Sequence, residues 1–299
     1  MDAPTGDSGD SGDSMYVCMY ASQVAACIGV NRHVKVADAA RTMWQRMAPA
    51  SFEAALRRNG LKTDDEVVRD LVEKHALVQH LVDSSMTNQE TSEDVAAAYT
   101  SAHNTLDHVG ALSESDKGLV DAALRKNLFT QYGTQSESDT LEYIRKTMKI
   151  ACHADPTFYK ISGGKLDDGT PWYIGGRIDA LSDDGKLVVE IKNRVNRLFG
   201  RAPAYEAVQI LTYLELLDVP HGVLVECYRT GDGTVQANAI PVARDTHAWK
   251  TTIMPKLQSF VSFVYRLAKD AGLQDAFLTS KRPNAMVVSV ASAVSVASA

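Results

Sequence analysis

Asp179, Glu190 and Lys192 are the residues of this chain whose types and spacing best suit joint chemistry. Asp179 closes Gly176-Arg177-Ile178-Asp179, and Glu190 and Lys192 fall within Val189-Glu190-Ile191-Lys192. Two carboxylates held together repel unless a cation sits between them, and hard oxygen ligands suit Mg²⁺, with Mn²⁺ able to substitute. Such a cation polarises a phosphate oxygen and lowers the pKa of a bound water. A neighbouring amine can orient that water or offset developing charge. The chemistry implied is metal-assisted phosphodiester hydrolysis, which points to nucleic acid as substrate.

The elements that must position these groups are a strand pair and two helices. Trp172–Leu181 and Lys186–Lys192 are short and β-rich, and Ser182-Asp183-Asp184-Gly185 between them has the composition of a hairpin turn. With Asp183 and Asp184 as the two turn residues, Asp179 pairs with Val188. Alternation then puts Val188, Glu190 and Lys192 on the face of Asp179, with Lys192 about 7 Å along the strand from Glu190. A three-residue loop would turn Glu190 to the other face, so convergence requires an even loop or a compensating bulge. A surface hairpin with an ordinary Glu/Lys pair would use the same residue types. Against it, Leu187, Val188, Val189 and Ile191 make the strand apolar on both faces, so its charged groups need partners.

Gly133-Thr134-Gln135-Ser136-Glu137 is expected to open a helix in which Leu141, Ile144 and Met148 follow Glu137 at helical spacing. That places Glu137 on the apolar stripe, although a first-turn Glu is also favoured by the helix dipole alone. Ala204–Leu217 (AYEAVQILTYLELL) reads as a second helix, with Gln209 and Tyr213 four apart on one face and Tyr205 a turn earlier.

Taken together, these residues resemble the PD-(D/E)XK nuclease superfamily. Its pattern is an acid on an early helix, an Asp, then Glu-x-Lys, then a helix carrying Gln-x-x-x-Tyr. Within the superfamily the likeness is to the lambda-exonuclease and YqaJ-like viral recombinase group. The segment Tyr20 to Gly29 is similar to that group's N-terminal segment, where a Ser at a helix start contacts DNA phosphate. The resemblance covers Met15 to about Val36 and about Phe129 to Arg229. It implies a restriction-endonuclease-like core of mixed α/β (α+β) class, a central mixed sheet flanked by helices, preceded by an N-terminal helical region.

Carried onto this chain, the resemblance makes Asp179 and Glu190 metal ligands, with the backbone carbonyl of Ile191 beside them. Glu137 completes or hydrogen-bonds the metal shell, Lys192 is the catalytic lysine, Gln209 and Tyr213 support the active-site wall, and Ser22 contacts a phosphate. Ile178 stands where a Pro often precedes the motif Asp, a variation that leaves the chemistry untouched. The implied protein is a Mg²⁺-dependent deoxyribonuclease leaving 5′-phosphates, expected to be an exonuclease on duplex ends in viral or phage recombination or replication. A single-strand annealing or recombination partner and a homo-oligomer go with that group. The alternatives are a structure- or sequence-specific endonuclease, an RNA-directed nuclease, and a non-catalytic DNA-binding protein retaining the fold. Intact Asp179, Glu190 and Lys192 speak against the last.

The chain has 299 residues and a net charge of −6. Asp2, Asp7, Asp10 and Asp13 supply four of those charges from the tail at 1–14, whose Gly6–Ser14 part is of low complexity, so no global basic surface advertises DNA binding. Lys192, Arg194, Arg197 and Arg201 nevertheless fall within ten residues with no acid among them, a local segment able to track a phosphate backbone. Solvated loops carry such charge runs too. Cys18, Cys27, Cys152 and Cys227 have no zinc-like or Cys-x-x-Cys spacing, which gives no support to zinc, a disulfide framework or an iron–sulfur cluster. His33 and His153 are isolated from other histidines. The acidic, non-apolar N-terminus lacks the features of a signal peptide, and no stretch is long and apolar enough for a membrane span. The expected location is intracellular, in cytoplasm or host nucleus, rather than secreted.

The expected organisation is an acidic disordered tail at 1–14, a helical region at 15–132, the nuclease core at 133–275 and a low-complexity tail at 276–299. Helices are expected at Val36–Met47, Asp64–Val82, Ser92–His108, Lys117–Phe129 and Thr246–Ala271. Strands are expected at Thr157–Ser162 and Gly222–Tyr228, with Val235–Ile240 as an edge strand.

Overall fold

Residues 16–288 build two sheets rather than one, and Asp179 lies where the backbone passes from the first to the second. The computed structural model describes residues 16–288; the acidic tail at 1–14 and the C-terminal residues beyond 288 lie outside them. β1 (Val17–Tyr20) leads through a 3-10 turn, Ala21–Gln23, into α1 (Val24–Cys27). Six helices follow: α2 (Val36–Met47), α3 (Pro49–Arg58), α4 (Asp64–Lys74), α5 (Ala76–Ser85), α6 (Ser92–Asp107) and α7 (Glu114–Lys146). Then come β2 (Cys152–Ala154), β3 (Tyr159–Lys165), β4 (Pro171–Gly176), β5 (Ala180–Ser182) and β6 (Leu187–Asn193). The chain continues through α8 (Ala204–Leu217), β7 (His221–Arg229), β8 (Val235–Ala243) and α9 (Thr246–Ala248). A π turn at Trp249–Ile253 joins α9 to α10 (Met254–Lys269), and α11 (Ala271–Thr279) and a last helical stretch at 283–288 close the described part.

β1, β4 and β3 form a three-stranded sheet, with β1 parallel and β3 antiparallel to β4. The second sheet runs β2-β5-β6-β7-β8; β6 and β7 are parallel, connected through α8, and the other neighbours are antiparallel. This mixed sheet is covered on both faces. Val188 and Leu224 pack against Ile210, Tyr213 and Leu214 of α8 on one side. Val189, Ile191 and Val225 meet Ile144 of α7 on the other. The fold is thus mixed α/β, and β8 takes the edge position expected for it.

Several element boundaries differ from expectation for identifiable reasons. Trp172–Leu181 is not one strand: it divides at Gly176, and β4 and β5 belong to different sheets. A Cβ on Gly176 would lie 2.9 Å from the Tyr213 ring and 3.0 Å from the Ala21 Cβ. Only a glycine lets the backbone cross there. Asp64–Val82 breaks at His75, whose extended backbone ends α4 and starts α5, turning Leu71, Val78 and Leu81 together onto Val120 and Leu124 of α7. The helices expected at Lys117–Phe129 and from Gly133 are one: α7 runs 33 residues, capped by Ser113 on the Asp116 amide, and passes straight through the expected junction at Gly133. Burial of Tyr132 and Ser136 on either side outweighs the roughly 1 kcal/mol that glycine costs in a helix interior.

The helical region is also divided. α2 and α3 pack with α10 and α11 around Trp44, Phe52, Phe263 and Phe277, whereas α4, α5 and the end of α6 build a separate cluster on the first half of α7. The expected tail from 276 begins as ordered helix, with Val287 2 % exposed in the core and Asn284 accepting from the Ala37 amide at 2.9 Å.

Candidate active site

The ladder between β5 and β6 pairs Ala180 with Val189 and Leu181 with Val188. The loop therefore contains four residues, Asp183 to Lys186, instead of two. Because four is even, side-chain parity is kept, and Asp179 falls one step beyond the ladder, across from Glu190 rather than Val188. Ser182 builds the turn: its hydroxyl donates to Asp184 at 2.6 Å and accepts from the Lys186 and Leu187 amides, while Gly185 supplies a φ of +71°. Val188, Glu190 and Lys192 turn towards α8, and Val189 and Ile191 towards α7.

Asp179 and Glu190 are fixed by different donors. Asp179 Oδ2 accepts the Ile191 amide at 2.7 Å. Glu190 is 1 % exposed. Its Oε1 accepts from Lys192 Nζ at 2.6 Å and Gln209 Nε2 at 2.8 Å, and Gln209 also reaches the Tyr213 hydroxyl at 3.3 Å. The second oxygen, Oε2, is buried and has no hydrogen-bond partner among the described residues. Burial raises Asp179, with Lys192 and the Ile191 amide opposing the shift. Burial also lifts Glu190, against the Lys192 charge and with Asp179 adding, to about 7. Burial alone would depress the Lys192 ammonium, but Glu190 and Asp179 carry it above its usual value. Tyr213 is raised by burial and by Glu190.

A carboxylate with one satisfied oxygen and one bare, buried oxygen is an unfinished arrangement, and a divalent cation fits it. Residues in an extended ladder direct N–H and C=O to the same side, so the Ile191 carbonyl opens towards Asp179 as its amide does. Among the described residues no three His, Cys, Asp or Glu side chains group closely enough to hold an ion by themselves. Glu137 accordingly does not join Asp179 and Glu190 in a three-carboxylate cluster. It is also exposed, because α7 buries Tyr132, Ser136, Thr140 and Ile144 at intervals of four and leaves Glu137 beside that stripe. Its carboxyl lines a cleft of about 940 Å³ with Asp179 and Ile191. Crowding by the protein, then the Asp179 charge, raise its pKa.

Two residues that the sequence reading missed lock α7 to the end of β6. Thr140 Oγ1 donates to Asn193 Oδ1 at 2.7 Å, and Asn193 Nδ2 donates to the Gly133 carbonyl at 3.1 Å. A buried Thr on a long helix and an Asn just after Glu-x-Lys were the available signals.

The basic stretch divides. Arg194 does not face solvent: its guanidinium donates to both Glu206 oxygens at 2.7 and 2.6 Å and to Glu226 at 2.8 Å. The expected phosphate contact from Arg194 does not fit this inward placement. Glu226 Oε2 also accepts the Phe199 and Gly200 amides at 3.0 Å each, which pins the loop after β6. Arg197 and Arg201 are exposed and, with Arg32, line a second cleft of about 700 Å³. Ser22 is exposed on the 3-10 turn, beside Ala21, which abuts Gly176. The four cysteines are buried free thiols. No helix among the described residues is long and apolar enough to cross a membrane.

Asp179, Glu190, Lys192, Gln209 and Tyr213 thus gather around β6, and Glu137 shares a cleft with Asp179. No protein-family model matches the chain, and no curated protein matches it significantly. Among solved structures it is similar to a phage related exonuclease from Haemophilus somnus 129PT, at 11% identity and TM-score 0.38, over 84% of this chain and 94% of that one. It is also similar to an alkaline exonuclease from Laribacter hongkongensis, at 16% identity and TM-score 0.34, over 66% of this chain and 92% of that one.

Proposed function

We propose that this protein is a Mg²⁺-dependent deoxyribonuclease that acts as an exonuclease on the ends of duplex DNA. The observation carrying this reading is Glu190, a buried carboxylate with one oxygen held by Lys192 and Gln209 and the other bare, across from Asp179. A divalent cation bound there polarises the scissile phosphate and lowers the pKa of a bound water. Asp179 and Glu190, with the Ile191 carbonyl, are the residues that would hold it. Mg²⁺ keeps several waters and takes one or two protein carboxylates in sites that also bind phosphate, so a pair of acids suffices.

Lys192 stays charged and 29 % exposed, able to offset charge developing on the phosphate. Gln209 holds the Glu190 carboxylate in place, and Tyr213 walls the site. Glu137, set apart from the pair, lines the same cleft and would accept a hydrogen bond from water there when a cation is bound. Arg197, Arg201 and Ser22 present exposed donors to the phosphate backbone, which positions DNA without reading its sequence. The reading is tested on linear and covalently closed circular duplex DNA with Mg²⁺, using wild type and Lys192→Ala. Degradation of linear DNA alone, lost in Lys192→Ala, is expected. Cutting of circles would replace the exonuclease by an endonuclease, and no Mg²⁺-dependent, Lys192-sensitive hydrolysis would overturn the proposal.

A further inference from the structure

One face of the three-stranded sheet is built of aromatic and cationic side chains and points away from the core. Trp172 and Ile174 of β4, with Val17 and Met19 of β1, turn into the core against α10. Alternation sends Tyr173 and Gly175 to the other side, in register with Tyr20 on β1 and Ser162 and Lys160 on β3. Tyr20 and Phe158 meet edge to face at 6.2 Å and are 40% and 41% exposed. The Arg46 guanidinium lies 4.0 Å from the Tyr20 ring centre, held by the Gln23 side chain and the Cys18 carbonyl. Arg177 sits 5.8 Å from the Phe158 ring. Further along, Tyr16 stacks on Tyr173 at 5.9 Å, and the Lys160 ammonium is 4.5 Å from Tyr173. The nearby acid Asp155 is already engaged by the Tyr159 hydroxyl and the Thr157 amide.

Exposed large aromatics grouped on one face mark a binding surface. Cations set over and beside them give that surface the sign a polyanion needs. Nucleobases stack on such rings whatever their identity, while Lys and Arg take the backbone. The face also leads into the candidate active site. Phe158 covers Gly175, Tyr213 abuts Gly176, and Arg177 is two residues from Asp179.

We propose that this sheet face binds single-stranded DNA, stacking unpaired bases on Tyr20 and Phe158 while Arg177 and Lys160 hold phosphates. It thereby presents an already separated strand end to the Asp179–Glu190–Lys192 centre. This rests on reading that centre as a nuclease, and binding is therefore measured apart from cleavage.

The test is fluorescence anisotropy of labelled oligo(dT) with the full chain in EDTA, for wild type, Tyr20→Ala, Phe158→Ala and the ring-retaining Tyr20→Phe. Each alanine variant is expected to weaken binding about tenfold, and Tyr20→Phe to keep it. In parallel, Mg²⁺-dependent degradation of duplexes with frayed ends is expected to exceed that of blunt duplexes in wild type, with the preference lost in both alanine variants. No oligo(dT) binding by wild type, or binding unmoved by both alanine variants, overturns the platform even where Lys192-dependent cleavage persists. Tighter binding of oligo(rU) than of oligo(dT) overturns the assignment to DNA. Ring-dependent oligo(dT) binding without any hydrolysis supports the platform and removes the nuclease reading instead.

Discussion

Replacing Glu190 by Gln keeps the shape of the side chain and removes its charge, and the buried setting fixes what this does to the metal-free protein. The carboxyl lies near 7 in the folded chain against an ordinary 4.5, through burial first and Asp179 second. A carboxyl raised by folding binds more protons folded than unfolded between those two values. Stability of the metal-free protein therefore falls as pH rises from about 4.5 to about 7 and is level outside that window. At 1.36 kcal/mol per pH unit the whole effect is about 3 kcal/mol, under one-third of it felt at pH 5 and nearly all at pH 8. The amide of Glu190→Gln has no such titration. Its nitrogen would lack an acceptor where Oε2 now sits bare, a constant cost of about 1–3 kcal/mol that does not vary with pH. Urea midpoints of both proteins in EDTA between pH 5 and pH 8 should diverge, wild type losing about 2–3 kcal/mol relative to Glu190→Gln. Adding Mg²⁺ at pH 8 should restore wild type and leave the variant unmoved. Parallel pH curves, or equal responses to Mg²⁺, would refute the reasoning.

Two further substitutions probe the frame around the site. Gly176→Ala places a methyl 2.9 Å from the Tyr213 ring and 3.0 Å from Ala21; it should cost about 1–3 kcal/mol in urea unfolding and displace Tyr213, and an unchanged midpoint would argue against this close crossing. Arg194→Ala leaves Glu206 and Glu226 buried without their cation and should destabilise by about 3–5 kcal/mol, with Arg194→Lys a poor substitute for the forked contact. A loss below about 1 kcal/mol, typical of an exposed ion pair, would mean that Arg194 faces solvent after all.

Local patterning made the second sheet legible. The apolar run around Glu190, the turn composition at 182–185 and the helical spacing of Gln209 and Tyr213 each point to one geometry. The four-residue loop could not be read, because Ser182 makes the turn through side-chain bonds to Asp184, Lys186 and Leu187. The division of Trp172–Leu181 between sheets was hidden for a related reason: it depends on contacts of Gly176 with Tyr213 and Ala21, both distant in sequence. Arg194 reads as one of a basic run until the fold brings Glu206 and Glu226 to it. Glu137 reads as part of a stripe with Leu141, Ile144 and Met148; Ile144 is fully buried and Leu141 and Met148 are partly so, but α7 buries Ser136 and Thr140 where the stripe would put Glu137 and Leu141. The aromatic face escaped notice because its members come from β1, α2, the approach to β3 and the end of β4, with no shared motif.

The central claim, that Asp179 and Glu190 hold the ion that makes this protein a nuclease, is tested most directly by single-turnover hydrolysis of end-labelled duplex DNA with Mg²⁺. Asp179→Asn keeps an acceptor for the Ile191 amide and removes one of the two charges facing the ion. It should lower the hydrolysis rate about a hundredfold to a thousandfold, the scale of removing one charge-stabilising group from an active site, while DNA binding in EDTA changes little. Hydrolysis by Asp179→Asn within about tenfold of wild type, or hydrolysis by wild type that persists in EDTA, would contradict the account.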